Sequence, residues 1–375
     1  MKNIYLNCVY KRNLGDDIFI KIICERYNDC NFLIPNYRKA EIIPKIKNLK
    51  NYNINQNLYE TLGKCTYRIN CRNPIDTFLI RKCDYVVTIG GSIFMESKDL
   101  KKYKDFYWYK NLDRKYFILG ANIGPVYTKE YIDNIKKYIL KNAAGICFRD
   151  NKSLEYIKGD CRNAKCYPDI VFSLDIERFK QVKKKRKVIF SIIDIKSKSK
   201  QMKNPKIEEY EQLISNLIQK FHSEKYEILV MSFCEIEGDN IYVKKLKEKH
   251  TYIKEYYYDG NIDEALKEIS ESEVIVGTRF HANVLGFIFN KIVIPIIYND
   301  KTKNLLNDIN FQGTFFDINN LNKDSFDNIN IETIKRENRI LDIDYLRKEA
   351  EHHFDELDKV LKNDNNIQLK NKNDL

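Results

Sequence analysis

Short apolar runs alternate with amphipathic stretches along this chain, and that alternation most constrains its fold. A strand that is apolar throughout is buried on both faces, as in a parallel sheet covered by helices. In the first half such runs fall at Ile4–Tyr10, Asn31–Ile34, Tyr85–Ile89, Tyr116–Leu119 and Ala144–Phe148. Helical periodicity runs to about Tyr27, over Lys129–Lys141 and over Asn151–Ile157. Pro35 is expected to end the second strand, and residues 36–76 are polar without a clear period. A second series has strands at Val188–Ile193, Glu227–Ser232, Val274–Val276 and Ile292–Tyr298. Its helices are Lys206–Ser223, Ile241–Lys249, Ile262–Ser270, Ala282–Phe289 and Lys301–Asp308. Arg336–Leu361 reads as one long charged helix before a polar tail.

With 375 residues, the chain exceeds what one core usually holds. Two α/β series predict two Rossmann-like domains facing each other across a cleft, over residues 1–178 and 179–335. A C-terminal helix and tail, 336–375, would follow. No stretch approaches the ~18 apolar residues of a membrane span. The N-terminus is too short and polar for a signal peptide, so a cytoplasmic location is expected. The ten cysteines include no C-x-x-C pair, and Cys161 and Cys166 lack a nearby histidine. No metal site is expected. The net charge of +12 suggests an anionic partner. The run Lys183–Lys187 precedes a strand and reads as a solvated inter-domain connection, and no nucleic-acid partner is expected. His222, His250, His352 and His353 lie in polar contexts and are expected to face solvent.

In open parallel sheets, ligands bind beyond the C-terminal strand ends. Five motifs fall there: Asn13-Leu14-Gly15-Asp16-Asp17, Gly90-Gly91-Ser92, Gly120 to Gly124, Arg149-Asp150, and Gly277-Thr278-Arg279-Phe280-His281. Asp16 or Asp17 can cap the first helix. Consecutive glycines at Gly90-Gly91 can offer N–H groups to an oxyanion. Arg149 offers a planar fork to a carboxylate or phosphate, or pairs internally with Asp150 or Asp169. Arg279 and His281 stand at a helix N-terminus, where an anion is favoured and the imidazolium is not, so a neutral His281 is expected. Residues two apart diverge by roughly 200° around a helix. Both can serve one ligand only if it sits over the helix end or the helix starts later. Lys301 or Lys303 can add positive charge after the next strand. There is no G-x-G-x-x-G and no P-loop, so nicotinamide or ATP chemistry has no support.

Taken in order, these pieces resemble the polysaccharide pyruvyl transferase family over roughly residues 1–310. The matching stretches are Asn13–Asp17, Ile89–Ser92, Gly120–Pro125, Phe148–Ser153, Gly277–Ala282 and Pro295–Lys301. Val9-Tyr10-Lys11-Arg12 replaces a glycine-rich approach to the first motif, and Ser92 stands where a third glycine is common. The resemblance implies a GT-B-like fold and transfer of pyruvate from phosphoenolpyruvate to a sugar of a cell-surface polysaccharide, forming a cyclic ketal. It implies donor contacts from Arg149, Arg279, Gly277, Thr278 and Lys301, with His281 as acid/base or phosphate ligand. Acceptor contacts would come from Asn13, Gly15, Asp16, Gly90, Gly91 and Ser92. Phosphoenolpyruvate would be a co-substrate, and no cofactor is expected. The acceptor would be a sugar, lipid-linked or nucleotide-linked, met at the inner face of an anionic membrane by peripheral contact. The alternatives are a glycosyltransferase of the same fold using a nucleotide sugar, and a non-catalytic anion- or nucleic-acid-binding protein.

Overall fold

The computed structural model describes residues 1–37, 43–96, 105–159, 161, 163–198, 206–322, 329–338 and 343–363. The chain divides into two compact units. One comprises Met1–Val9, Phe19–Ser173 and Arg347–Leu375; the other comprises Tyr10–Ile18 and Leu174–Leu346.

The first unit is a seven-stranded sheet in which every pairing is parallel. Its strands are β1 (Asn3–Cys8), β2 (Asn31–Asn36), β3 (Leu49–Asn53), β4 (Tyr85–Ile89), β5 (Lys115–Ala121), β6 (Gly145–Phe148) and β7 (Ala164–Cys166). Between them run α1 (Leu14–Arg26), α2 (Gln56–Arg68), α3 (Pro74–Arg81), α4 (Lys129–Tyr138) and α5 (Asn151–Ile157). The spatial order is β3-β2-β1-β4-β5-β6-β7, reversing direction between β1 and β4. All of β4 is buried, as an unbroken Tyr-Val-Val-Thr-Ile run requires.

The second sheet repeats the plan with β8 (Lys187–Ser191), β9 (Glu227–Ser232), β10 (Lys254–Tyr257), β11 (Val274–Gly277), β12 (Ile292–Ile297) and β13 (Phe316–Asp317). Its order, β10-β9-β8-β11-β12-β13, is the doubly wound pattern, with the switch between β8 and β11. Its helices are α6 (Ile195–Lys198), α7 (Ile207–Ser223), α8 (Asp239–Lys249), α9 (Ile262–Glu271), α10 (Phe280–Ile288) and α11 (Asp300–Asp308). Val188, Phe190, Leu213, Leu217, Val230 and Val276 form the centre of its core.

Several expectations are corrected. β2 runs through Pro35 to Asn36. Its pairing with β1 stops at Leu33, and beyond that it pairs with β3, so the missing N–H of Pro35 removes no bond to β1. The stretch 36–76 holds β3, α2 and the start of α3, and its described side chains are largely exposed. Arg336–Leu361 is not one helix. A helix Ile331–Glu337 ends there, another spans Ile343–Glu351, and a 3-10 turn at His352–Phe354 follows. Residues 355–363 are helical again, and the rest of the polar tail lies outside the described residues. The basic run is not wholly solvated: Lys187 is buried and paired with Glu268 (2.8 Å) and Glu271 (3.2 Å).

His250 and His353 are buried instead of facing solvent. His250 Nε2 meets Ser215 Oγ at 3.0 Å, and burial lowers its pKa. His353 Nε2 lies 2.7 Å from the carbonyl of Pro168 and donates to it. Burial depresses the His353 pKa from 6.5 to about 4. Between these values an unfolded chain takes up a proton that the folded one refuses. Stability is therefore expected to fall by roughly 3 kcal/mol as pH drops from 6.5 to 4. Thermal midpoints followed against pH check this. In His353→Gln, which keeps a donor for Pro168, the acid limb should flatten; an unchanged limb would assign it to other groups.

Candidate functional site

The switch point of the second sheet gathers most of the sequence-predicted residues. At the end of β11 the chain turns onto the end of β8. Thr278 N and Arg279 N both donate to the Ser191 carbonyl, at 2.8 and 3.3 Å. Thr278 Oγ1 meets Tyr210 Oη at 3.1 Å. Asn283 Nδ2 reaches back to the Gly277 carbonyl at 3.0 Å, fixing the strand end to the helix that follows. Arg279 is the N-cap of α10, with extended φ −70° and ψ 132°, and its side chain does not cap the helix. The helix starts at Phe280, so Arg279 stands outside it and His281 within its first turn.

Their side chains part, as the helical geometry requires. Arg279 is buried and held by two carboxylates. Nε donates to Asp239 Oδ2 at 3.0 Å, Nη2 donates to Asp239 Oδ1, and Nη1 donates to Glu237 Oε2 at 2.6 Å. Three of its five N–H groups are thus engaged. Asp239 Oδ2 also accepts from Phe233 N and Cys234 N, at 3.2 and 3.0 Å. Burial raises the Asp239 pKa and Arg279 opposes it; burial likewise disfavours the guanidinium, but the two carboxylates keep it cationic. The charge of Arg279 is offset before any ligand arrives. Asp239 and Glu237 were not anticipated, although the acidic run Glu235-Ile236-Glu237-Gly238-Asp239 just after β9 is a visible signal.

His281 turns instead to the N-terminal segment. A Cβ on Gly15 would lie 1.9 Å from His281 Nδ1 and 2.5 Å from its Cγ, so the imidazole rests on bare backbone. That segment is fixed to the second unit by an antiparallel bridge between Asn13 and Cys234 and by Leu14 N donating to the Phe233 carbonyl at 3.0 Å. Asn13 Oδ1 accepts from Gly15 N at 3.0 Å. Asp17 is fully buried, and Tyr258 Oη donates to its Oδ2 at 2.6 Å. Burial pushes the Asp17 pKa up to about 8, against the lowering effect of that hydrogen bond. Asp16 stays half-buried in the first turn of α1. Arg12, just before the motif, has φ +49°, a left-handed conformation that costs a non-glycine residue about 1 kcal/mol or more. Lys301 is half-buried in the first turn of α11, after β12.

The first unit holds the remaining candidates. Gly90, Gly91 and Ser92 follow β4, and Arg149 follows β6. A Cβ on Gly91 would lie 2.2 Å from Arg149 Nη1, so here too a glycine admits a large side chain against the backbone. Arg149 Nη1 donates to Asp169 Oδ2 and Nη2 to Asn122 Oδ1, each at 2.8 Å, and the guanidinium is buried. Of the two candidate partners, Asp169 takes the arginine. Asp150 caps α5, accepting from Ser153 N at 2.7 Å. The carbonyl of Gly91 accepts from Asn122 N at 2.7 Å.

The resemblance assigns Asn13, Gly15 and Asp16 with Gly90–Ser92 to the acceptor, and Arg149 with Arg279 to the donor. Asn13, Gly15 and Asp16 belong with Gly277–His281 and Lys301 in the second unit, and Gly90–Ser92 with Arg149 in the first. The reason is the bridge to Cys234 and the packing of His281 on Gly15.

Each sheet is that of a Rossmann-like domain, and the fold is GT-B-like. Among solved structures, the chain is similar to the UDP-GlcNAc 2-epimerase of Methanocaldococcus jannaschii at 12% identity and a TM-score of 0.55. That match covers 96% of this chain and 99% of the other. It is also similar to Anabaena Alr3699/HepE in complex with UDP and glucose, at 11% identity and a TM-score of 0.51, covering 95% and 99%. At such identities the likeness shows the fold alone. No curated protein matches the chain. The model of the family described as polysaccharide pyruvyl transferase matches residues 11–300, from the approach to the Asn13 turn through β12 to Asp300. With both strand-end constellations inside that match, the chain belongs to the polysaccharide pyruvyl transferase family.

Proposed function

We propose that this protein transfers pyruvate from phosphoenolpyruvate to two hydroxyls of one sugar in a polysaccharide or its precursor. A cyclic ketal forms and inorganic phosphate leaves. A proton is added to the methylene carbon of the enol, and one hydroxyl oxygen bonds to its C2. The second hydroxyl displaces phosphate from that carbon, and each oxygen gives up its proton. The observation that carries this reading is the family match, which spans His281, both arginines, Gly15 and Gly91.

In this mechanism His281, on the first turn of α10, moves a proton on or off the reacting groups. The N-terminus of α10 favours the donor's negative charge. Arg279 can serve that charge where an anion replaces Glu237 at Nη1. Glu237 is the looser partner, with its side chain 31% exposed, whereas Asp239 is fully enclosed. Arg149 plays the matching part in the first unit, where the neutral Asn122 is one of its partners.

Calorimetric titration with phosphoenolpyruvate, together with phosphate release in the presence of candidate glycans, tests the reading. Removing the competing charge in Glu237→Gln is expected to tighten phosphoenolpyruvate binding by about fivefold. His281→Ala should keep the binding and lower turnover by ~10²–10⁴. If phosphoenolpyruvate neither binds nor turns over while a nucleotide sugar binds saturably, the protein is a glycosyltransferase of the same fold.

A further inference from the structure

We propose that the β3–α2–α3 face of the first unit is a docking surface for an anionic phospholipid bilayer, an inference independent of the donor. Residues 43–82 hold eight Lys and Arg (Lys45, Lys47, Lys50, Lys64, Arg68, Arg72, Arg81, Lys82) against Glu60 and Asp76. That is a net +6 from this segment, half the +12 of the whole chain. Asp76 contributes nothing to the surface. It is buried and accepts from Tyr5 Oη at 2.9 Å, Tyr59 Oη at 3.0 Å and Trp108 Nε1 at 3.2 Å. Seven of the eight cations are exposed and Arg72 is half-buried.

Apolar side chains stand among these charges. Tyr59 ties the inner side of α2 to Asp76. Leu58, Leu62 and Cys65, spaced four and three residues apart, fall on one stripe beside it, and Ile69 follows in the turn after the helix. Leu58 is 53% and Ile69 68% exposed. On β3 and α3, Tyr52 and Phe78 are also exposed, and Lys82 Nζ lies 5.8 and 4.3 Å from their ring centres. An exposed aliphatic stripe edged by cations fits a helix lying in the headgroup plane. Phosphate backbones of nucleic acid would give Leu58 and Ile69 no partner. A second copy of the chain would bring one +6 surface against another. Among the described residues no helix is long and apolar enough to cross a membrane, so contact here is along the surface.

The test is co-sedimentation of the full chain with vesicles of phosphatidylglycerol and phosphatidylcholine, beside vesicles of phosphatidylcholine alone. Binding is expected to the former, weakened by salt, and not to the latter. Lys64→Gln with Arg68→Gln should weaken it about 30-fold, at about 1 kcal/mol per cation near the surface. Leu58→Gln with Ile69→Gln should weaken it at least ~10-fold. Unchanged circular dichroism and thermal midpoints verify folding, as these side chains are exposed. Equal binding to both vesicles, or wild-type binding by both variants, overturns the proposal. So does binding to duplex DNA that survives the apolar variant, or a dimer in light scattering that the apolar variant abolishes.

Discussion

Asp239→Ala is expected to be the most destabilising single change in the second unit. It would strand the buried guanidinium of Arg279 with only Glu237 and remove the acceptor of two backbone N–H groups at Phe233 and Cys234. Breaking one side of a buried ion pair costs about 3–5 kcal/mol. The orphaned amides add to that. A domain of this size should lose on the order of 10 °C in Tm. Scanning calorimetry would measure it. The double variant Asp239→Ala with Arg279→Met should recover much of the loss, because neither charge is then left buried alone. A change below about 1 kcal/mol in Asp239→Ala would mean that the pair does not hold this strand end together.

Gly15→Ala should be nearly silent in stability and severe in activity. The added methyl falls inside the imidazole, which must swing away, a shift within reach of a half-buried side chain. If His281 transfers the proton, kcat drops by ~10²–10⁴, about as far as in His281→Ala. The double variant should be no worse than either single one, since both remove one function. Full activity in Gly15→Ala would show that the position of His281 on the Gly15 backbone has no part in catalysis.

Reading the sequence served best where one local cause decides the structure. β4, β9 and α5 have the bounds expected from their runs, because an apolar stretch flanked by Gly or polar turns, or a helix behind a capping Asp150, needs no distant partner. The doubly wound plan followed from the same local signals. Pro35 was misjudged because its tolerance depends on where β1 stops pairing, which lies outside its own neighbourhood. Helix α2 carries Leu58, Leu62 and Cys65 at helical spacing, but so few apolar residues among polar ones leave the period weak. The candidate residues lie at the end of β11 or in the segments that follow β1, β4, β6, β11 and β12. Their partners showed in part. Asp169, 20 residues after Arg149, is one of the two acids the sequence offers it, whereas Asp239 lies 40 residues before Arg279 and has no local link to it. His281 and Gly15 are drawn together by the chain's tertiary path, for which neither side chain carries a local sign.

The allegiance of Tyr10–Ile18 to the second unit bears on how the chain can be taken apart or recombined. The turn at Asn13–Asp17 emerges first in synthesis, yet Cys234, Tyr258 and His281, which hold it, arrive more than two hundred residues later. Such distant loop closures slow folding, so the support for the imidazole forms late. A hybrid enzyme made with one junction near Ser173 would carry His281 into a host with a foreign residue beneath it. To move the second unit intact, its two segments must travel together, with the Asn13 turn transplanted alongside the strands it serves.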